Sequence, residues 1–300
     1  MRFLAVIVTA AAIIVSVFFG LSTAGVQSQI AENEQNIQTA LNAMQVYDDR
    51  YAEAEQQLQQ AQARLDELTA EYEHQQILDN YRDTPTAFIT FDDAPNEYTD
   101  SLLQILDDYS VKATFFVIGT RLQTQTQRNY LKRIYESGHE IGIHSYSHDM
   151  SLIYSSEDAF FEDLYKTSEL IEQICGVKPK LVRLPGGTAS AKTLCERYSG
   201  SAETFGNIMQ RLSDEGYTVT DWNVDSGDWD TSLTSEEIVD NVRNGASGRL
   251  GAEYKTALVL LHGQRYSRDA LSQVIQTLSG LGYDFDKMSA NGYTYVQTLR

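Results

Sequence analysis

From Val26 to Asp83 the chain contains neither proline nor glycine, and Gln, Glu and Ala dominate it. Nothing in such a stretch forces a helix to break, and its commonest residues are tolerated or favoured in helices. Apolar or aromatic residues recur every seventh place at Ile30, Ile37, Met44, Tyr51, Leu58, Leu65 and Tyr72. Ala40, Tyr47, Ala54, Ala61 and Leu68 follow three places after several of these, whereas Asn33 and Gln75 interrupt that second position. A sustained two-position heptad is the pattern of a coiled coil. The segment predicts a helical spacer. It either pairs with a second copy of the chain, as a homodimer, or remains a single helix, solvated or laid on a neighbouring domain.

Ahead of it, Phe3 to Gly20 is almost unbroken apolar sequence, with Arg2 before it and no further charge until Glu32. The run exceeds the ~7–15 residues of a signal-peptide core and approaches the ~20 that span a bilayer. This favours an uncleaved transmembrane helix over a signal peptide cut near Ser22-Thr23-Ala24. Positive charge before the run and acidic sequence after it place the remainder outside the membrane. The expected organisation is therefore an anchor or signal peptide over 1–25, a stalk over 26–83 and a globular domain over 84–300. That makes a single-pass protein of the cell membrane, or a secreted one if the first segment is removed.

Composition excludes more than it names. Forty-two Asp and Glu stand against 23 Lys and Arg, which speaks against nucleic acid, whose phosphates need basic patches, and against an anionic lipid surface. Cys175 and Cys195 are too few for a disulfide framework. They are equally compatible with one bridge in an exported domain and with two reduced thiols.

At Thr84-Pro85 the helix must end, because the residue before a proline resists helical angles. Beyond it short β-branched or aromatic runs alternate with amphipathic stretches. The predicted strands are Ala87–Phe91, Ala113–Ile118, Glu140–Ile143, Leu181–Arg183, Tyr217–Asn223 and Ala257–Leu261. Helical patterns intervene at Thr99–Tyr109, Gln127–Ser137, Glu157–Ile174, Thr204–Glu215, Ser235–Asn244 and Arg268–Leu281. This alternation predicts an α/β fold with a mainly parallel sheet, open or closed into a barrel.

Ionisable residues cluster where those strands end. Asp92 and Asp93 follow the first, His144 and His148 the third, Arg183 ends the fourth, Asp225 and Asp228 follow the fifth, and His262 ends the sixth. In a β/α barrel all of these share the rim on which sites are built. Two imidazoles four apart, joined by Asp93 or Asp92, suit Zn²⁺ or another first-row divalent ion and leave positions open for water. The carboxylate not used as a ligand is free to act as a base.

Five segments together resemble the signatures of the polysaccharide deacetylases with a NodB homology domain, carbohydrate esterase family 4. They are Thr90-Phe91-Asp92-Asp93-Ala94-Pro95, His144-Ser145-Tyr146-Ser147-His148, Arg183-Leu184-Pro185-Gly186-Gly187, Asp225-Ser226-Gly227-Asp228-Trp229 and Val259-Leu260-Leu261-His262. They occur in the family's order and cover most of the chain after Thr84. The resemblance implies a distorted (β/α)7-type barrel in which Asp93, His144 and His148 hold a metal, usually zinc. It implies Asp92 as general base oriented by Arg183, His262 as general acid supported by Asp228, and Trp229 and Leu261 as the apolar wall around the acetyl methyl. It leaves the backbone of Gly186 to serve the oxyanion, where family members often carry an aromatic. Ala94 replaces the usual glycine, and its methyl is expected either to narrow the floor of the cleft or to shift the loop, lowering turnover. The implied activity is removal of N-acetyl groups from a cell-wall glycan, with the N-acetylglucosamine of peptidoglycan as substrate. An O-acetyl esterase and an idle glycan-binding surface protein are the alternatives.

Overall fold

The computed structural model describes residues 14, 15, 17 and 23–297. The predicted anchor over 1–25 lies almost wholly outside them. Among the described residues no helix is long and apolar enough to cross a membrane.

Helix α1 runs unbroken over Thr23–Asp83. Side-chain hydrogen bonds four residues apart, such as Gln45 to Asp49 and Gln62 to Asp66, brace its surface. The heptad residues Met44, Tyr51, Leu58 and Leu65 are exposed along it.

The chain divides into two compact units between Tyr72 and Glu73. The division therefore falls inside α1. The cause is packing of the last turns of α1 into the globular unit. Tyr81 is buried and meets Phe88 and Tyr293 edge-on, at centroid distances of 5.5 and 6.0 Å. His74 Nδ1 lies 3.0 Å from the carbonyl oxygen of Asn291. Tyr81→Ala is therefore expected to destabilise the globular unit by about 3 kcal/mol, read from urea unfolding of the full chain. An unchanged midpoint would place Tyr81 outside the cooperative fold.

After α1 come β1 (Thr86–Ala94), α2 (Thr99–Asp108), β2 (Thr114–Ile118), a 3-10 turn (Gly119–Leu122), α3 (Gln125–Glu136), β3 (Glu140–Ser145) and α4 (Met150–Ile153). Next are α5 (Glu157–Cys175), β4 (Leu181–Val182), α6 (Gly187–Ser199), α7 (Glu203–Asp214), β5 (Thr218–Val219) and β6 (Val224–Asp225). The chain ends through α8 (Ser235–Arg249), β7 (Thr256–Leu261), α9 (Arg265–Gly280) and β8 (Asp284–Asp286). All pairings are parallel, in the order β5-β4-β3-β2-β1-β7-β6, with β8 paired to the start of β1. The terminal strands β5 and β6 do not pair with each other, so the sheet is a curled half-barrel of parallel strands, consistent with the distorted (β/α)7-type barrel expected.

That opening falls at the predicted strand Tyr217–Asn223, of which only Thr218–Val219 is strand; β6 follows just beyond it at Val224–Asp225, and Asp221 and Trp222 lie between the two. The buried Asp221 carboxylate accepts hydrogen bonds from Thr188 N and Gln297 N. These tie the segment to α6 and to the C-terminal chain and draw it out of the ladder.

Alternation along the strands separates two cores. On β1, Ala87, Ile89 and Phe91 face the helices, and Phe88 faces the concave side with Phe116, Leu181 and Leu258. Tyr81, Met288 and Tyr293 close that inner layer from below. Gly142 is needed on β3 because a Cβ there would stand 2.5 Å from the Phe116 ring. The first residues of the concave side are thus apolar and the later ones polar, which sets the site at the carboxyl ends of the strands.

Cys175 and Cys195 are not bridged. Burial pushes both thiols up to about 11, and the bridged alternative is not adopted.

Candidate active site

Asp92, at the concave face of β1, is buried, and its neighbour Asp93 turns the opposite way through a left-handed backbone with φ 61°. Such a conformation in a non-glycine residue is strained. It lets two adjacent carboxylates reach one cleft in different directions. Asp93 Oδ1 stands 3.7 Å from His144 Nε2 and 3.6 Å from His148 Nε2. Asp92 Oδ2 reaches only His144, at 4.0 Å. The sequence left either carboxylate open as a ligand, and the geometry selects Asp93.

His144 Nδ1 lies 2.7 Å from the carbonyl oxygen of Arg183. A carbonyl only accepts, so Nδ1 carries the proton and the Nε2 lone pair faces Asp93. His148 also has a positive φ of 56°. Burial first, then the neighbouring His144, lowers its pKa, which keeps it neutral and able to ligate. The turn between the two histidines is clamped by Asp163 of α5, whose buried carboxylate accepts from Tyr146 N at 2.5 Å and from Ser147 N at 2.9 Å.

The three ligand atoms lie within 4.8 Å of one another. Ligands about 2.1 Å from a tetrahedral zinc stand about 3.4 Å apart, close to the 3.7 and 3.6 Å that separate Asp93 Oδ1 from the two imidazoles. Asp93 Oδ1 is moreover buried without any hydrogen-bond partner, a costly state for a carboxylate oxygen unless a cation faces it. The residues fit a divalent metal.

Arg183 is fully buried. Its Nη1 donates to Asp92 Oδ1 at 2.8 Å and to Thr90 Oγ1 at 2.7 Å, while Nη2 donates to the Asp221 carbonyl at 2.9 Å. The guanidinium lies 4.1 Å from the Phe116 ring centroid. It forms the middle layer of the half-barrel, between the apolar floor and Asp92.

Across the cleft, His262 Nδ1 lies 2.7 Å from Asp228 Oδ1, and His262 N donates to Asp228 Oδ2 at 2.6 Å. Asp228 is buried, so one carboxylate fixes both the ring and the backbone of His262. Burial opposes charge on the imidazole. The hydrogen bond and charge of Asp228, with Asp92 and Asp93 behind, outweigh it and raise the pKa to about 9.

A cavity of about 370 Å³ joins these groups, lined by Asp92, His144, His148, Gly186, Trp229 and His262 among others. Trp229 stands at its rim, 64 % exposed. Leu261 does not line it. Alternation along β7 turns Leu261 into the helix-facing core and presents Leu260 to the cavity. Ala94 likewise packs into the core and does not line the cavity. Gly186 adopts φ 80° at the start of α6.

Sequence reasoning passed over Asp163, Asp221, Trp222 and Met150. Trp222 and Met150 line the cavity, and both sat close to the signatures. Asp163 lay unmarked within an amphipathic helix, and Asp221 within a predicted strand.

Residues 79–221 match the family described as polysaccharide deacetylase. A peptidoglycan-N-acetylglucosamine deacetylase of Bacillus cereus is 30% identical over 203 residues, which is 66% of this chain and 64% of that protein. The peptidoglycan-N-acetylmuramic acid deacetylase PdaC of Bacillus subtilis is 33% identical over 67% of this chain and 37% of its own length. The chain thus spans less than two thirds of either relative. The crystal structure of the catalytic domain of a peptidoglycan N-acetylglucosamine deacetylase from Eubacterium rectale superposes with a TM-score of 0.65. It is 32% identical over 72% of this chain and 94% of that one. With the five signatures converging on one cavity, the chain belongs to the polysaccharide deacetylase family, hydrolases that act on the amide bonds of glycans.

Proposed function

We propose that this protein removes N-acetyl groups from cell-wall glycan, with the N-acetylglucosamine of peptidoglycan as its substrate and a divalent first-row metal, zinc or a similar ion, as its cofactor. The observation that carries this reading is the meeting of three groups on one cavity: the Asp93–His144–His148 cluster, the Asp92–Arg183 pair and the His262–Asp228 pair. The names of the relatives support the substrate class.

A divalent ion held by Asp93, His144 and His148 would polarise the acetyl carbonyl and acidify the attacking water. Asp92, aimed by Arg183, takes the proton from that water as it attacks. Charge that develops on the carbonyl oxygen faces the backbone of Gly186. His262, on the opposite side, delivers a proton to the departing amine, and Asp228 steadies the imidazolium until it does. Trp229 and Trp222 offer flat apolar surface to the sugar ring.

Acetate release by the full chain in detergent is the test, on peptidoglycan and on acetylated xylan, with and without chelator and with zinc restored. Release from peptidoglycan, abolished by chelation and recovered with zinc, is expected. Release indifferent to chelation sinks the metal assignment, and release from xylan alone sinks the substrate.

The protonation state of His262 gives a second expectation. Protonated His262 is the donor, so activity is kept below its pKa and lost as pH rises through it. A cation bound near Asp92 and Asp93 offsets part of their pull, so the alkaline limb in the loaded enzyme lies below about 9. In Asp228→Asn the main support is gone and burial dominates. The limb is expected to move acid by more than about 1 pH unit, and an unmoved limb would assign the donor elsewhere.

The reading extends to the N-terminal segment, taken as a membrane anchor that holds the hydrolase outside the cell on a paired helical stalk. The exposed seam of Met44, Tyr51, Leu58 and Leu65 supports pairing. Fractionation and chemical cross-linking of the full chain check both points, and a soluble monomer would refute them.

A further inference from the structure

The rim of the sheet opposite the catalytic cleft, where β2, β3 and β4 begin, holds a second and larger cavity of about 490 Å³. Lys178, Lys180 and Lys287 line it, against a single carboxylate, Glu140. In a chain of net charge −19 this concentration of ammonium groups runs against the composition of the rest of the surface. Glu140 engages only Lys287, at 3.3 Å. Lys180 is held in place by the Glu215 carbonyl at 3.1 Å and lies 4.9 Å from the Tyr217 ring centroid.

A buried histidine lines the same space. His139 is 3 % exposed and lines the cavity. Its Nδ1 accepts a hydrogen bond from Ala113 N at 3.0 Å, which places the ring proton on Nε2. The ring thus keeps one N–H free of the Ala113 contact.

We propose that this cavity binds a phosphate-bearing anion, with Nε2–H of His139 donating to a phosphate oxygen and the three lysines supplying the counter-charge. Point-like ammonium groups suit the phosphate oxyanion, whereas a carboxylate would call for the planar fork of an arginine, and no arginine lines the cavity. Burial, then the charges of Lys112 and Lys287, push His139 down to about 4. It therefore acts as a neutral donor near pH 7, and the positive charge of the site belongs to the lysines. The ligand is either free phosphate or a phosphodiester-linked glycan. The second would give a hydrolase of anionic wall polymers a grip on its surroundings remote from the cleft.

The test is calorimetric titration of the full chain in detergent with inorganic phosphate, glycerol phosphate and a glycerol phosphate oligomer. The wild type is compared with Lys178→Gln/Lys287→Gln and with His139→Gln. Saturable one-site binding is expected, weakened at least tenfold in the double lysine variant, with acetate release from a soluble chitooligosaccharide unchanged. A tighter oligomer than inorganic phosphate assigns the polymer, and the reverse order assigns the free ion. Absence of saturable binding, or equal affinity in the lysine variant, overturns the proposal. The lysine variant alters only surface residues, so a folding failure of His139→Gln does not blunt the result. Inactive protein that still binds phosphate would refute the hydrolase and leave this site standing.

Discussion

Asp92→Asn is expected to lower kcat for acetate release by about 10²- to 10⁴-fold, the range a positioned general base contributes. The substitution is nearly isosteric. An asparagine carbonyl can still accept from Arg183 Nη1, which stands 2.8 Å from Asp92 Oδ1 in the wild type, so the architecture around it is retained. What is lost is the ability to take a proton. Asp93, His144 and His148 could hold a metal ion without Asp92, so bound metal measured by elemental analysis should equal the wild-type value. The combination of lost turnover with retained metal separates a base from a ligand. It also decides between an enzyme and an idle glycan-binding protein, because a protein that merely binds glycan would lose nothing. Equal kcat in the variant would remove Asp92 from the chemistry.

Why the sequence announced this site so clearly has a physical basis. Parallel strands joined by helices bring every strand's carboxyl end to one rim, so residues far apart in the chain need only the right phase on their strands to meet. His144, His148, Asp93, Arg183, Asp228 and His262 all satisfied that condition. Phase is also where the reading failed. Leu261 and Leu260 are equally apolar, and only the pleat, with His262 facing the cleft, shows that Leu260 shares its side. The roles of Asp92 and Asp93 could not be divided from residue type, because the division depends on a left-handed backbone at Asp93. Partners that act through backbone atoms were the least visible. Asp163 holds the histidine turn through Tyr146 N and Ser147 N, and no side-chain pattern marks a contact of that kind. The helix α6 was missed because Gly186-Gly187 reads as a loop, although both glycines take positive φ where the chain turns into the helix. The division into compact units was hidden for a similar reason. Proline at 85 marks where α1 stops, but the globular unit begins earlier, where Tyr81 and Leu78 reach the inner core.

Arg183→Met is expected to destabilise the globular unit by about 3–5 kcal/mol, the cost of stripping one partner from a buried ion pair. The wild-type guanidinium is 0 % exposed and donates to four acceptors: Asp92, Thr90, and the carbonyls of Thr220 and Asp221. Methionine fills much of the volume but leaves those acceptors unmet and the Asp92 carboxylate without its counter-charge. A buried carboxylate stripped of its partner is costly, and it also loses the donor that aims it, so the proposed base is disabled as well as the fold weakened. Lysine does not repair this, since one ammonium cannot span the acceptors that the planar fork reaches. The measurement is urea unfolding of the full chain with chelator present, which keeps metal binding from contributing. Adding Asp92→Asn to Arg183→Met should restore part of the lost stability, because the isolated charge is then absent. A single variant within about 1 kcal/mol of wild type would place the pair in the range of exposed ion pairs, and Arg183 would lose its place as the support on which the catalytic carboxylate rests. Recovery of stability without recovery of acetate release is the expected signature of a residue that both builds the half-barrel and aims its base.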